Sequence, residues 1–241
     1  MMGARYAIYY APPAHAPLHR LAASWLGREA FTGLPAVQPD VPGIAEKTEE
    51  PRRYGFHATL KAPFRLGPDV KPEQLMHSVE AIAKQFAPIS FPAIEFKVLD
   101  RFLALVPTAG EREIQILANY CVKKLDKFRA PLTPEEMAHR RKNGLSARLD
   151  TLLLNWGYPH VLDQFQFHLT LSNVLEPAEL ETLSEAAERH FAPVLNKPLV
   201  IDALCVFREP SPGAPFILKQ RYPLCGPAEV AVPEPWKLGM R

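Results

Sequence analysis

Three things are scarce in this sequence, and each scarcity removes a class of protein. Cysteine is the first: Cys121, Cys205 and Cys225 are all there are in 241 residues. An odd number without metal-type spacing offers no disulfide framework and no thiolate metal site, and predicts reduced thiols in a cytoplasmic protein. Charge of one sign is the second. Lys and Arg number 28 against 26 Asp and Glu, a net charge of +2. Neither a long nucleic acid nor a membrane surface is therefore expected as a partner, and an anionic substrate has to be held by local groups. Long apolar runs are the third. No stretch is long enough to predict a membrane span, and residues 1–13 lack the basic region and apolar run of a secretory signal.

What is present is ordinary globular composition, 47% hydrophobic and 22% charged, with an unusual 26 prolines. Proline divides the chain into short elements joined by rigid connections. Arg5–Ala11 reads as a strand closed by Pro12 and Pro13, and His15–Arg28 as a helix ending near Gly27. Residues 33–52, rich in Gly and Pro, read as loop and as a candidate flap over a site. A strand over Gly55–Lys61 follows, then an amphipathic helix over Pro72–Phe86 with Leu75, Val79, Ile82 and Phe86 on one side. Ile94–Leu99 and Phe102–Pro107 flank Asp100-Arg101 as a hairpin. Glu111–Phe128 and Pro134–Asn155 read as helices, the second opened by Thr133 and Glu136 in a capping box.

The second half then resumes the order of the first. Strand Gln166–Leu171 precedes a helix over Pro177–Phe191 and strands near Leu199–Phe207 and Phe216–Tyr222. Phe86-Ala87-Pro88 and Phe191-Ala192-Pro193 end the corresponding helices. The expectation is an α+β chain of duplicated strand–helix–hairpin units, with antiparallel sheets around a central cleft. Lobe one spans roughly 1–110, connecting helices roughly 111–157, and lobe two roughly 158–241, the whole forming a single bilobal domain.

The duplicated strands carry the chemistry. Phe56-His57-Ala58-Thr59-Leu60 and Phe167-His168-Leu169-Thr170-Leu171 share one pattern. Strand alternation puts each His with its Thr on one face and the apolar residues on the other. With eight His and eight Thr in the chain, composition alone predicts about 0.3 His-x-Thr matches, so two matches in equivalent positions are informative. Imidazole changes charge near neutral pH. Two of them flanking a phosphodiester divide the work: one takes a proton from the nucleophile, the other gives one to the leaving oxygen. The threonine hydroxyls donate to non-bridging phosphoryl oxygens, where charge builds. His57 and His168 are thus the candidate catalytic residues, Thr59 and Thr170 the candidate phosphate binders. Lys61 and Arg53 fall on the face of His57 and are second-tier substrate contacts. Tyr158, in the Trp156-Gly157-Tyr158-Pro159 turn, is another, able to stack on a sugar or base. Arg140-Arg141-Lys142 reads as a solvated helix face. No Asp, Glu or Cys stands near either motif at ligand spacing, so no metal is expected.

The paired motifs, with Tyr54-Gly55-Phe56-His57-Ala58-Thr59-Leu60-Lys61 and Trp156-Gly157-Tyr158-Pro159 around them, resemble the 2H phosphoesterase superfamily. The wording is similar to its branch from bacterial phosphonate-utilisation operons, apart from His160 where that branch has tyrosine. The resemblance implies a bilobal fold with a pseudo-twofold cleft. It also implies hydrolysis of a small cyclic phosphodiester without metal or other cofactor, the operon setting suggesting a phosphorylated ribose cyclic phosphate. A non-catalytic protein that binds a phosphorylated metabolite, and processing of RNA 2′,3′-cyclic phosphate ends, are the alternatives. Neither the oligomeric state nor the division of acid and base between the histidines follows from the motifs.

Overall fold

Strand β1 (Arg5–Tyr10) forms where its aromatic and β-branched residues predict it. Tyr6 through Tyr10 are buried whichever face they point to, which marks an interior strand. Both its edges are paired antiparallel, to β2 (Ala58–Arg65) on one side and β8 (Ala203–Glu209) on the other. Strand β9 (Ile217–Pro223) completes the sheet in the order β2-β1-β8-β9. A three-stranded antiparallel sheet has the order β4 (Ile94–Leu99), β5 (Phe102–Pro107), β6 (Leu169–Thr170), and β3 (Ile89–Phe91) pairs with β7 (Leu199–Ile201). This α+β arrangement is that of a computed structural model describing residues 3–227. Residues 228–241, the end of the expected second lobe, lie outside the described residues.

The duplication is visible in the pairing, in exchanged form. The first His-x-Thr strand, β2, shares its sheet with β8 and β9 from the second half. The second, β6, pairs with the β4–β5 hairpin of the first half. Each of the two larger sheets thus takes its His-bearing strand from one half of the sequence and its hairpin from the other. The β3–β7 pair joins corresponding strands of the two halves.

The helices cover these sheets in the same crossed manner. Helix α4 (Pro72–Ala83), which follows β2, packs on β8 and β9. Helix α8 (Pro177–Phe191), which follows β6, packs on β5 and on α1 (Pro17–Leu26). The predicted stripe of α4 is the one that goes inside: Leu75, Val79 and Ile82 are buried, and so are Leu183, Ala187 and Phe191 on α8. These side chains join one continuous apolar core. Each fully buried Leu or Phe contributes roughly 1.5–3 kcal/mol relative to an exposed one.

Several boundaries differ from the sequence reading, each for a physical reason. Residues 33–52 are not loop throughout. They contain α2 (Ile44–Lys47) and most of α3 (Glu49–Tyr54). Pro51 is tolerated there because it sits in the first turn, where its missing N–H has no helical acceptor. The expected single helix over Pro134–Asn155 is two, α6 (Pro134–Arg141) and α7 (Ala147–Trp156). Gly144 adopts φ +76° between them, and Ser146 restarts the helix by accepting from the Leu149 N–H. The capping box opening α6 is as read: Thr133 accepts from Glu136 N at 3.2 Å while Glu136 accepts from Thr133 N at 2.8 Å.

Candidate active site

Both histidines stand one residue before a strand rather than inside it. Helix α3 ends at Gly55, whose φ of +75° requires glycine, and a Cβ there would meet the Ala30 Cβ at 2.6 Å. The chain then turns into β2 with Phe56, Ala58 and Leu60 buried below and His57 and Thr59 partly exposed above. That is the predicted alternation. Tyr9, across the ladder from Thr59, stacks on the His57 ring with centroids 3.8 Å apart. On the other side Phe167, Leu169 and Leu171 are buried behind His168 and Thr170. Strand β6 is only two residues long because side chains replace the ladder at its end. Trp25 Nε1 donates to the Leu171 carbonyl at 2.9 Å, and Ser172 Oγ accepts from Leu103 N at 2.9 Å.

The two imidazoles are held in the same way. His57 Nδ1 lies 2.7 Å from the Gly55 carbonyl, and His168 Nδ1 lies 2.9 Å from the Gln166 carbonyl, each two residues upstream. A carbonyl only accepts, so Nδ1 carries the proton in both rings and Nε2 is left as the reactive nitrogen. Burial pushes the His57 pKa down to about 4; the Gly55 carbonyl opposes this and the charge of His168 adds to it. Burial also lowers the His168 pKa, the Gln166 carbonyl opposing and His160 adding. His168 is thus among the charges acting on His57, whereas the charge acting on His168 is that of His160.

A cavity of about 440 Å³ opens beside them, within the size range of small-molecule sites. His57, Thr59 and Thr170 line it; His168 is not among its lining residues. Of the second-tier candidates, Tyr158 lines the cavity, just after the left-handed Gly157 that ends α7. Lys61 reaches the cavity wall, but its side chain is only 3% exposed and its ammonium turns away to Asp126 Oδ1 at 3.1 Å and the Val122 carbonyl at 3.3 Å. The expected substrate contact is instead a buried ion pair. Arg53 belongs to α3, bonds the Glu209 carboxylate and is not a lining residue. Among the described residues no group of three or more His, Cys, Asp or Glu could hold a metal ion, and no helix is long and apolar enough to cross a membrane.

Tyr9, Tyr54, Arg5 and Arg140 line the cavity without having been singled out for it in the sequence. Arg140, read as part of a solvated face, is brought in by the placement of α6. Arg65 at the end of β2 grips Glu136 of α6 through two bonds, at 2.8 and 3.1 Å, and donates to the Pro131 carbonyl. Glu136 was legible only as a capping residue.

The lowered pKa of the partly buried His57 makes stability depend on pH. The folded state keeps His57 neutral down to about pH 4, whereas the unfolded chain protonates it near the ordinary value of about 6.5. Between these limits the unfolded state binds more protons, so stability rises with pH there and is lost as pH falls. Integrating the shift from 6.5 to about 4 gives on the order of 3 kcal/mol. Urea denaturation from pH 7 to 4.5 is expected to show this slope in the native protein and a flatter one in His57→Gln. Parallel curves would contradict an imidazole held neutral in the folded state.

The sequence model of one family, described as "Protein of unknown function (DUF1045)", matches residues 59–217. Over 236 residues the chain is 42% identical to "Ribose 1,5-bisphosphate phosphokinase PhnN" of Janthinobacterium sp. (strain Marseille), covering 94% of this chain and 52% of that one. It is 32% identical over 216 residues to the protein of the same description from Laribacter hongkongensis (strain HLHK9), covering 89% and 50%. The chain thus spans about half the length of the curated relatives it matches. Among solved structures, E. coli LigT complexed with 3′-AMP gives a TM-score of 0.44 at 13% identity, over 92% of this chain and 99% of that one. A crystal structure titled only as a phosphoesterase gives 0.42 at 14%, over 92% and 99%.

Proposed function

The chain belongs to the DUF1045 family of proteins of unknown function, and we propose that it is a 2H-type phosphoesterase that opens the cyclic phosphodiester of a small phosphorylated ribose. One observation carries the reading. Two imidazoles each have Nδ1 bound to the carbonyl two residues upstream, which leaves Nε2 free, and His57 lines one cavity with Thr59 and Thr170. A binding protein has no use for two oriented proton-transfer groups; hydrolysis of a diester needs both.

The chemistry then runs as follows. Nε2 of one imidazole takes a proton from water as the water oxygen attacks phosphorus. The bond from phosphorus to one ring oxygen breaks, and the second imidazole, protonated, gives its proton to that oxygen. Water is added across one P–O bond and no electrons change hands. Thr59 and Thr170 donate to the non-bridging oxygens as their charge grows. We assign the base to His57, which starts neutral throughout the physiological range because burial holds its pKa near 4. His168 is the acid, its proton stabilised once an anionic diester arrives.

The substrate class rests on the curated relatives. They are named as kinases of ribose 1,5-bisphosphate, and this chain matches only half of each. The sequence contains no GxxxxGK[ST] phosphate loop, the usual cradle for a nucleotide in P-loop kinases. Hydrolysis of a 5-phosphoribosyl 1,2-cyclic phosphate at the 2-oxygen yields ribose 1,5-bisphosphate, the compound in the relatives' name. Incubation with that cyclic phosphate, and with 2′,3′-cyclic AMP, is followed by phosphorus NMR with and without EDTA. We expect ribose 1,5-bisphosphate to accumulate at the same rate under both conditions. Binding without turnover, or activity that EDTA abolishes, refutes the two-histidine reading.

A further inference from the structure

The cavity's cations are not equivalent. Arg5 is bound by Glu209, Lys61 and Arg129 share Asp126, and Arg65 is bound by Glu136. Each of these side chains is paired with a carboxylate already in place, Asp126 serving two of them. Arg140 is different. Among the described residues it has neither a hydrogen bond nor an ion pair. Its guanidinium lies 5.2 Å from the centre of the Tyr158 ring, itself a cavity residue. Glu136 attracts it only at longer range, being occupied by Arg65 and the Thr133 N–H. Burial lowers the Arg140 pKa, the mark of a charge that has lost water. A half-desolvated guanidinium stacked on an aromatic face, with its N–H fork unclaimed, is built to meet an anion. It belongs to α6, whereas Thr59 and Thr170 come from the sheets and His57 from the residue before β2.

Resting on the proposed hydrolysis, we infer that Arg140 binds a second, non-reacting phosphoryl group of the substrate, and that this contact makes the site select a phosphorylated ribose cyclic phosphate over an unphosphorylated one. The bonds it would make are charge-assisted and, to a phosphate, bidentate. Removing such a contact typically weakens binding roughly 10- to 100-fold. Helix α6 is pinned by Arg65 and Glu136 rather than by Arg140, so Arg140→Gln is expected to fold with an unchanged Tm.

The test compares kcat/KM for 5-phosphoribosyl 1,2-cyclic phosphate and ribose 1,2-cyclic phosphate in the native protein and in Arg140→Gln. The native preference for the phosphorylated substrate is expected to fall 10- to 100-fold in the variant, through KM, with partial recovery in Arg140→Lys. An unchanged preference overturns the inference. Calorimetry with ribose 5-phosphate separates this outcome from failure of the hydrolysis reading. If neither substrate turns over, at least tenfold weaker binding by Arg140→Gln still supports the subsite, and equal binding by both proteins overturns it.

Discussion

Replacing His57 or His168 with alanine is expected to lower kcat on the cyclic diester by about 10²–10⁴-fold each, the span of one general acid or base step. Both losses should fall on kcat more than on KM, because a proton in transit is a feature of the transition state. The double variant should be little worse than either single one, since removing one member of a proton-transfer pair idles the other. His168→Ala is the more discriminating change. His57 lines the cavity but His168 does not, and their link rests on the charge His57 senses and on matched Nδ1 bonds to Gly55 and Gln166. If His168→Ala keeps its full rate while His57→Ala loses its own, the chemistry uses one histidine and the symmetric reading falls. Loss of the Tyr9 stack in His57→Ala is worth about 1 kcal/mol. Circular dichroism at the assay temperature separates that loss from the catalytic one.

The half-sites were legible in the sequence because their signal is local. Phe56, Ala58 and Leu60 alternate with His57 and Thr59 over five residues, and the same pattern recurs at 167–171. A strand needs only that alternation to declare which face goes inside. The turn at Asp100-Arg101 was legible too, although the pair is an unusual one. Asp100 takes φ +51°, a conformation its short polar side chain tolerates. The split of the helix after residue 141 also had its signals, Gly144 as breaker and Ser146 as new cap, but the surrounding helix formers masked them.

The exchange of hairpins was not legible. Ala104 opposes Thr170, and Tyr9 opposes both Thr59 and Cys205. No local pattern distinguishes a hairpin that pairs within its own half from one that pairs across. Lys61 shows the matching limit at the site. Alternation put it on the His57 face, as it did Thr59, and only the approach of α5 (Glu111–Leu125) and the adjoining Asp126 decides that its ammonium turns inward. Arg140 went the other way for the same reason. A basic run on a polar helix reads as solvated until another element, here Arg65 of β2, fixes where the helix lies.

Glu209→Ala should produce the largest loss of stability among single changes near the site. Glu209 is completely buried on β8, opposite Arg5 of β1. Its carboxylate accepts from Arg5, from Arg53 of α3, and from the Gly213 N–H at 3.1 Å. Burial alone would raise its pKa, yet these donors hold it below the ordinary value. Alanine leaves two guanidiniums side by side without their anion, and breaking a buried pair this way costs about 3–5 kcal/mol. Both arginines are about a quarter to a third exposed and recover some water, so the lower end of that range is expected. Glu209→Gln keeps the shape and one acceptor oxygen and should lose less. The pH dependence supplies an independent check. Because the folded pKa is depressed, the stabilisation is complete above the unfolded value of about 4.3 and is lost as pH falls through the folded one. Urea midpoints for native and Glu209→Gln proteins should therefore converge below about pH 4, the acid side of that window. Glu209→Ala should also impair turnover, because Arg53 precedes Tyr54, Gly55 and His57 on the segment that sets the imidazole against Tyr9. Full activity together with a midpoint shift worth less than about 1 kcal/mol, the scale of a surface ion pair, would mean the carboxylate holds neither the end of the β1–β8 ladder nor the histidine in place.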